Sequence, residues 1–279
     1  MDMLERKKLL EREFIEEAKN KKKLKEKKRK EEIANVLKDI QLYPKATDVL
    51  ENEELECFFR PILTIKRDIK GKEFLIHILL SLGISEDKLC DGHKFSENGF
   101  FGFEYNGGKY KYVGSEEVFY NQERTKALNL YLQADFIEQK EIYLSKKIGM
   151  EVYVEKMMKR IKSIVQLGSC GSLRCYLESF YSYELTKYQY QATGSFRSFR
   201  EITEGWKTSS DFVHDEKNIT NIIDEFFMNI EYNFKNYYDI TPDMACFGID
   251  AFNFMASKDM LFTLVDAEKE RLYMLEYCS

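Results

Sequence analysis

The first forty residues contain neither glycine nor proline and are built largely from good helix formers. A stretch like that can hardly form a globular core, because charged side chains crowd every turn. It predicts one helix over 2–41, closed by Tyr43-Pro44, since proline disfavours helical geometry in the residue before it. Pairs with the acid one turn ahead of the base, Asp2–Arg6, Glu17–Lys21 and Glu26–Lys30, support the same reading. Such a rod would be about 58 Å long.

Apolar residues are unevenly placed along it. Met3, Leu10, Phe14 and Ala18 make a thin stripe, and Ile33, Val36, Leu37 and Ile40 a fuller one, while 19–32 hold only Leu24. A two-stranded coiled coil needs its inner positions filled over successive heptads. This coiled coil-like helix is empty in the middle, so it is expected to dock its C-terminal third and leave its centre in water.

Charge sharpens that picture. Residues 1–40 carry 14 Lys/Arg against 10 Asp/Glu, a local +4 in a chain whose net charge is -5, which leaves about -9 on the remainder. Within the arm, Lys19, Lys21, Lys22, Lys23, Lys25, Lys27, Lys28, Arg29 and Lys30 place nine cations in twelve residues against one acid, Glu26. Cations at that density neutralise phosphates and release counterions, giving salt-dependent, sequence-independent binding. The other readings are a solvated face that keeps the chain soluble, and docking on an acidic protein surface. Glu11, Glu13 and Glu16 before the cluster, and Glu31 and Glu32 after it, bound the basic segment.

The N-terminus reaches charge before any apolar run, so no secretory leader is expected. Phe74–Leu82, the most apolar stretch, is too short for a membrane span and contains His77. The expected compartment is the cytoplasm, with no membrane partner. Six scattered cysteines, none in a CxxC pair, read as free thiols.

Beyond Pro44 the pattern predicts a short helix at 47–57 capped by Thr47 or Asp48, a strand at Ile62–Ile65, a turn at Asp68–Lys72 and a buried helix at 73–82 closed by Gly83. Asn106-Gly107-Gly108 between two aromatic runs is a strong hairpin signal. Helices are expected at about 122–147, 150–167, 173–191, 196–205 and 217–237. Phe247–Met255, Met260–Val265 and Leu272–Tyr277 read as an antiparallel meander. The expected fold is α+β and predominantly helical, with a long N-terminal helix, a β-hairpin near 100–113 and a C-terminal antiparallel meander. Residues 1–44 form the arm and 45–279 a single compact domain.

Several constellations hold residue types suited to chemistry. Leu79–Leu89 resembles the centre of a helix-turn-helix, but its second helix would open on Glu86-Asp87, the wrong charge for a groove. Gly168-Ser169-Cys170-Gly171-Ser172 resembles the run before the nucleophile of papain-like cysteine proteases, yet Leu173 stands where that family has its cysteine. Cys170 with His214 is the remaining thiol pair, and the alternative is an inter-helix loop with inert thiols. His214-Asp215 resembles the His-Asp pair of HD-type phosphohydrolases, with His77 or His93 and Asp239, Asp243 or Asp250 as conceivable further ligands; no ligand spacing supports a metal or another cofactor. Tyr176, Tyr181, Tyr183, Tyr188, Tyr190, Phe196, Phe199 and Trp206, mixed with Arg174, Lys187, Arg197, Arg200 and Lys207, suit base stacking. The same spacing suits a packed core better.

The sequence therefore points to a non-enzymatic binding protein whose basic helix engages nucleic acid or a large acidic assembly through residues 19–30. The alternatives are a structural subunit of a protein assembly, its arm packed on a neighbour, and an enzyme built around the thiol at Cys170.

Overall fold

A computed structural model describes residues 3–82, 96–97, 100–114, 119, 122–161, 170–206, 213–214, 244–250 and 260–277. The chain divides into two compact units, Met1–Asp39 and Ile40–Ser279. The first is α1 (Met3–Val36), tightening into a 3-10 turn at Leu37–Asp39. The helix expected to run to residue 41 thus stops five residues sooner. Ile40, assigned to its apolar stripe, instead pairs with Ile65 in a sheet.

The second unit is α+β, built on two antiparallel sheets. The smaller holds β1 (Ile40–Leu42), β2 (Phe59–Ile69) and β3 (Lys72–Ser81) in that order. Between β1 and β2 lie α2 (Ala46–Val49) and a 3-10 turn at Glu53–Cys57. The helix expected at 47–57 is broken there, and Asn52, not Thr47 or Asp48, supplies a cap by accepting from the Glu54 amide at 3.1 Å. β2 and β3 are joined at Lys70-Gly71, both with positive φ (53° and 80°), the geometry of a two-residue hairpin turn.

β3 overturns the helix expected at 73–82. Phe74, Ile76, His77, Ile78, Leu79, Leu80 and Leu82 are all buried. A strand covered on both faces loses the alternation that distinguishes strand from helix. With β3 extended, Leu79–Ser81 cannot be the first helix of a helix-turn-helix; Gly83–Leu89 lie outside the described residues.

The larger sheet gathers β4 (Ser96–Glu97), β5 (Phe100–Asn106), β6 (Lys109–Tyr112), β7 (Val213–His214), β8 (Ala245–Asp250), β9 (Met260–Asp266) and β10 (Arg271–Tyr277). Its order is β4-β5-β10-β9-β8-β7, with β6 also on β5. The Gly107-Gly108 turn has φ of 57° and 93° and closes the expected hairpin. That hairpin joins the meander through β5 and β10. Gly248 faces Phe262 across β8 and β9, and a Cβ there would lie 2.8 Å from the ring. Gly248→Ala is therefore expected to cost about 1–3 kcal/mol in urea denaturation, because the buried ring has little room to move.

Helices α3 (Gln122–Ser145), α4 (Met150–Ile161), α5 (Cys170–Thr193) and α6 (Phe199–Thr203) complete the unit. The described part of α5 is buried on most sides: Tyr176, Leu177, Phe180, Tyr181, Tyr183 and Leu185 are all inaccessible or nearly so. A helix buried nearly all round sits in the middle of a layer, and its buried Ser182 and Thr186 hydroxyls are satisfied by donating to carbonyls of the preceding turn. The helix expected at 217–237 lies outside the described residues. Two antiparallel sheets organise this body, so the expectation of a predominantly helical fold is replaced by a mixed one.

Candidate functional site

The described body is held together by three buried polar clusters. The first concerns the outer edge of β3, whose amides would otherwise lack partners. Side chains of the larger sheet supply them. Leu75 N donates to Tyr105 Oη at 3.0 Å, His77 N to Tyr110 Oη at 2.8 Å and Ser81 N to Glu276 Oε1 at 2.9 Å. His77 completes the joint. Its Nε2 lies 2.7 Å from the Gly108 carbonyl, which only accepts, so the proton sits on Nε2 and Nδ1 accepts from Thr64 Oγ1 at 2.8 Å. Both ring nitrogens are engaged, which removes His77 from the conceivable metal ligands.

Burial pushes the His77 pKa down to about 4, against a weaker opposing effect of the Gly108 bond. The unfolded chain would take up the proton first, near 6.5. The stabilisation is therefore complete above that value and is lost as pH falls from 6.5 towards 4, by up to about 3 kcal/mol. His77→Gln should flatten that part of the stability profile in denaturation between those pH values; an unchanged slope would contradict the neutral histidine.

The second cluster surrounds Arg60 of β2, whose side chain is wholly buried. Its Nη1 bonds to Glu56 and lies 3.7 Å from Glu184, and its Nη2 donates to Asn129 Oδ1 at 2.7 Å. The guanidinium also sits over the rings of Phe180 and Tyr183, 5.7 and 5.6 Å from their centroids. Burial opposes the charge, and Glu184 and Glu56 outweigh it, so Arg60 stays protonated. Tyr176 and Tyr183 donate to the carbonyls of Cys57 and Pro61, tying α5 to β2 and the turn before it.

The third cluster joins α3 to α4. Asp135 accepts from Tyr143 Oη at 2.5 Å and from Arg160 Nη1 at 2.8 Å, with Lys156 at 3.6 Å. Tyr181 stacks on Tyr153 beside it, centroids 3.9 Å apart. Burial and the Asp135 carboxylate raise the Tyr143 pKa, so the phenol remains a donor and is not a general base.

The two catalytic candidates lie on different elements. Cys170 opens α5, and His214 lies in β7 opposite Gly248 at one end of the larger sheet. Cys57 is buried, and burial raises its thiol to about 12, which leaves it unreactive. His93, Asp215, Asp239 and Asp243 lie outside the described residues. Among the described residues no three His, Cys, Asp or Glu side chains are grouped to hold a metal ion.

The aromatic stretch from Arg174 onward is mostly core. Tyr176, Tyr181, Tyr183, Phe196 and Phe199 are buried, Tyr188 and Tyr190 partly so, and Trp206 is exposed beneath Arg200. Lys207 lies outside the described residues.

The basic segment is different in kind. Lys19, Lys21, Lys22, Lys23, Lys25, Lys27, Lys28 and Lys30 are all exposed on α1, and Arg29 shares the helix. Lys21 pairs with Glu17 at 2.8 Å and Lys27 with Glu31 at 3.8 Å along the same helix. Leu24 and Phe14 are exposed as well. Among the described residues no helix is long and apolar enough to cross a membrane. Comparison with protein-family models, with curated proteins and with solved structures finds no match.

Proposed function

We propose that this is a non-enzymatic binding protein whose N-terminal helix engages nucleic acid through Lys19, Lys21, Lys22, Lys23, Lys25, Lys27, Lys28, Arg29 and Lys30. The observation that carries the reading is the density of exposed cations on one short length of helix. The buried clusters of the body support it from the other side: Arg60, Asp135, Tyr143 and His77 are each held by structural bonds. In this reading the helix is continuous through the cluster, and the body is the part that the arm delivers to nucleic acid.

Fluorescence anisotropy of the full chain with a short labelled DNA duplex tests it. Affinity should fall about 100-fold or more between about 50 and about 200 mM salt, as expected for several neutralised phosphates. No binding at the lower salt would end the nucleic-acid reading. Binding to polyglutamate under the same conditions would instead identify an acidic protein assembly as the partner.

A second reading, a structural or protein-interaction subunit, rests on a separate observation. Leu130 and Ile137 of α3 and Val152 of α4 are exposed large apolar side chains on the body. Sedimentation of Leu130→Glu and Ile137→Glu variants should show a lower mass than the parent if that face holds a partner copy, and an unchanged mass if it does not.

A further inference from the structure

The positions of the cations around α1 say more than their number. A helix turns by about 100° per residue. On that wheel Lys19, Lys23, Lys27 and Lys30 fall in one row, and Lys21, Lys25 and Lys28 in another, with the two rows about 170° apart. Positions 22 and 29, a lysine and an arginine, lie between them on one side of the cylinder. The opposite side carries Glu17, Asn20, Leu24 and Glu31 and no cation between the rows. Glu26 is the exception, set inside the basic side, between positions 22 and 29 and the Lys19 row and one turn from both Lys22 and Lys30.

A flat anionic surface, or one strand, set against positions 22 and 29 meets only the near members of each row and leaves the outer ones, Lys27 and Lys28, facing away. Both rows are satisfied together only between two facing walls of phosphate. The major groove of B-form DNA provides them, being about 12 Å wide, enough to admit a helix whose diameter with side chains is about 10–12 Å. The cation-free strip, neutral at Asn20 and Leu24 and acidic at its ends, then faces out of the groove, where it meets no phosphate. The basic segment spans twelve residues, or about 18 Å, with Glu16 and Glu17 before it and Glu31 and Glu32 after it. Those flanks would be repelled by a phosphate track followed for longer, so the helix suits a single crossing of one groove. Eight of its nine cations are lysines, and seven of those lie in the two rows that would face phosphate, where a cation carries no sequence information.

We infer that residues 19–30 recognise double-stranded DNA as a groove-seated helix, with Lys19, Lys23, Lys27 and Lys30 on one phosphate wall and Lys21, Lys25 and Lys28 on the other, without reading sequence. This rests on the nucleic-acid reading above and narrows it to one form. A-form RNA is disfavoured because its major groove is deep and narrow.

The test uses the full chain and four labelled probes of equal length: two DNA duplexes of unrelated sequence, an RNA duplex and a single-stranded DNA, at one salt concentration. The two DNA duplexes should bind within about 3-fold of each other and about 10-fold or more tighter than the RNA duplex or the single strand. Two charge-matched variants complete it. Lys19, Lys23 and Lys27→Gln strips one row down to Lys30, and Lys21, Lys25 and Lys28→Gln empties the other, glutamine being a comparable helix former. Each should weaken duplex binding by a similar factor, about 10-fold or more, with unchanged helix content by circular dichroism. Equal affinity for single strand, RNA and DNA duplex, or a loss confined to one row, would overturn the groove-seated helix while leaving nucleic-acid binding in place. Binding to none of the four probes would remove the underlying reading itself.

Discussion

Replacing Arg60 with alanine is expected to destabilise the body by about 3–5 kcal/mol, the range for breaking a buried ion pair by removing one partner. Glu184 is nearly buried and Glu56 partly so, and both would lose the guanidinium that neutralises them. Asn129 would lose its donor, and a void would open beneath Phe180 and Tyr183. Arg60→Met keeps most of the volume and separates the two effects: it should recover the packing share and leave the electrostatic one. Combining it with Glu184→Gln should recover stability further, because the uncompensated charge is then gone. Urea denaturation of the three variants measures this. A loss below about 1 kcal/mol for Arg60→Ala would mean that water reaches the cluster and screens it.

The second large effect is expected on the arm. Reversing Lys21, Lys23, Lys25 and Lys28 to glutamate should weaken duplex binding by about 100-fold or more at low salt and reduce the slope of log affinity against log salt by about 4. Thermal unfolding of the body should be unchanged, because these side chains are exposed on a separate compact unit. Anisotropy across a salt series checks the first part and a melting curve the second. A variant with the parent's slope would show that these lysines meet no phosphate.

Local chemistry made part of this fold legible. Asn106-Gly107-Gly108 announced its hairpin because a two-residue turn with positive φ at both positions has few other solutions. The apolar runs of β9 and β10 were bounded by charged turns, and Gly149 marked the break between α3 and α4. What could not be read was whatever depended on burial from both sides. Phe74–Leu82 has no alternation to betray a strand, because the second sheet and its tyrosines cover the face and edge that would otherwise be polar. The Lys70-Gly71 turn was the available sign that β2 and β3 form a hairpin.

The candidate site divides the same way. The cation cluster of α1 stands in the sequence because its chemistry is local to twelve residues. Arg60 with Asn129 and Glu184, and Asp135 with Arg160, join residues far apart in the chain, and no periodicity or motif connects them. His77 read as a conceivable ligand because a histidine shows its ring in the sequence but not its partners. Thr64 and Gly108 decide its role.

On the proposed function the arm, and not the body, holds nucleic acid. The most direct measurement is anisotropy of one labelled DNA duplex at about 50 mM salt with the full chain and with residues 40–279, the compact unit that begins at Ile40. A circular dichroism melt would confirm that the shortened chain is folded. Salt-sensitive binding by the full chain that is lost with residues 1–39 is the predicted result. Equal binding by both would contradict it and move the site onto the body.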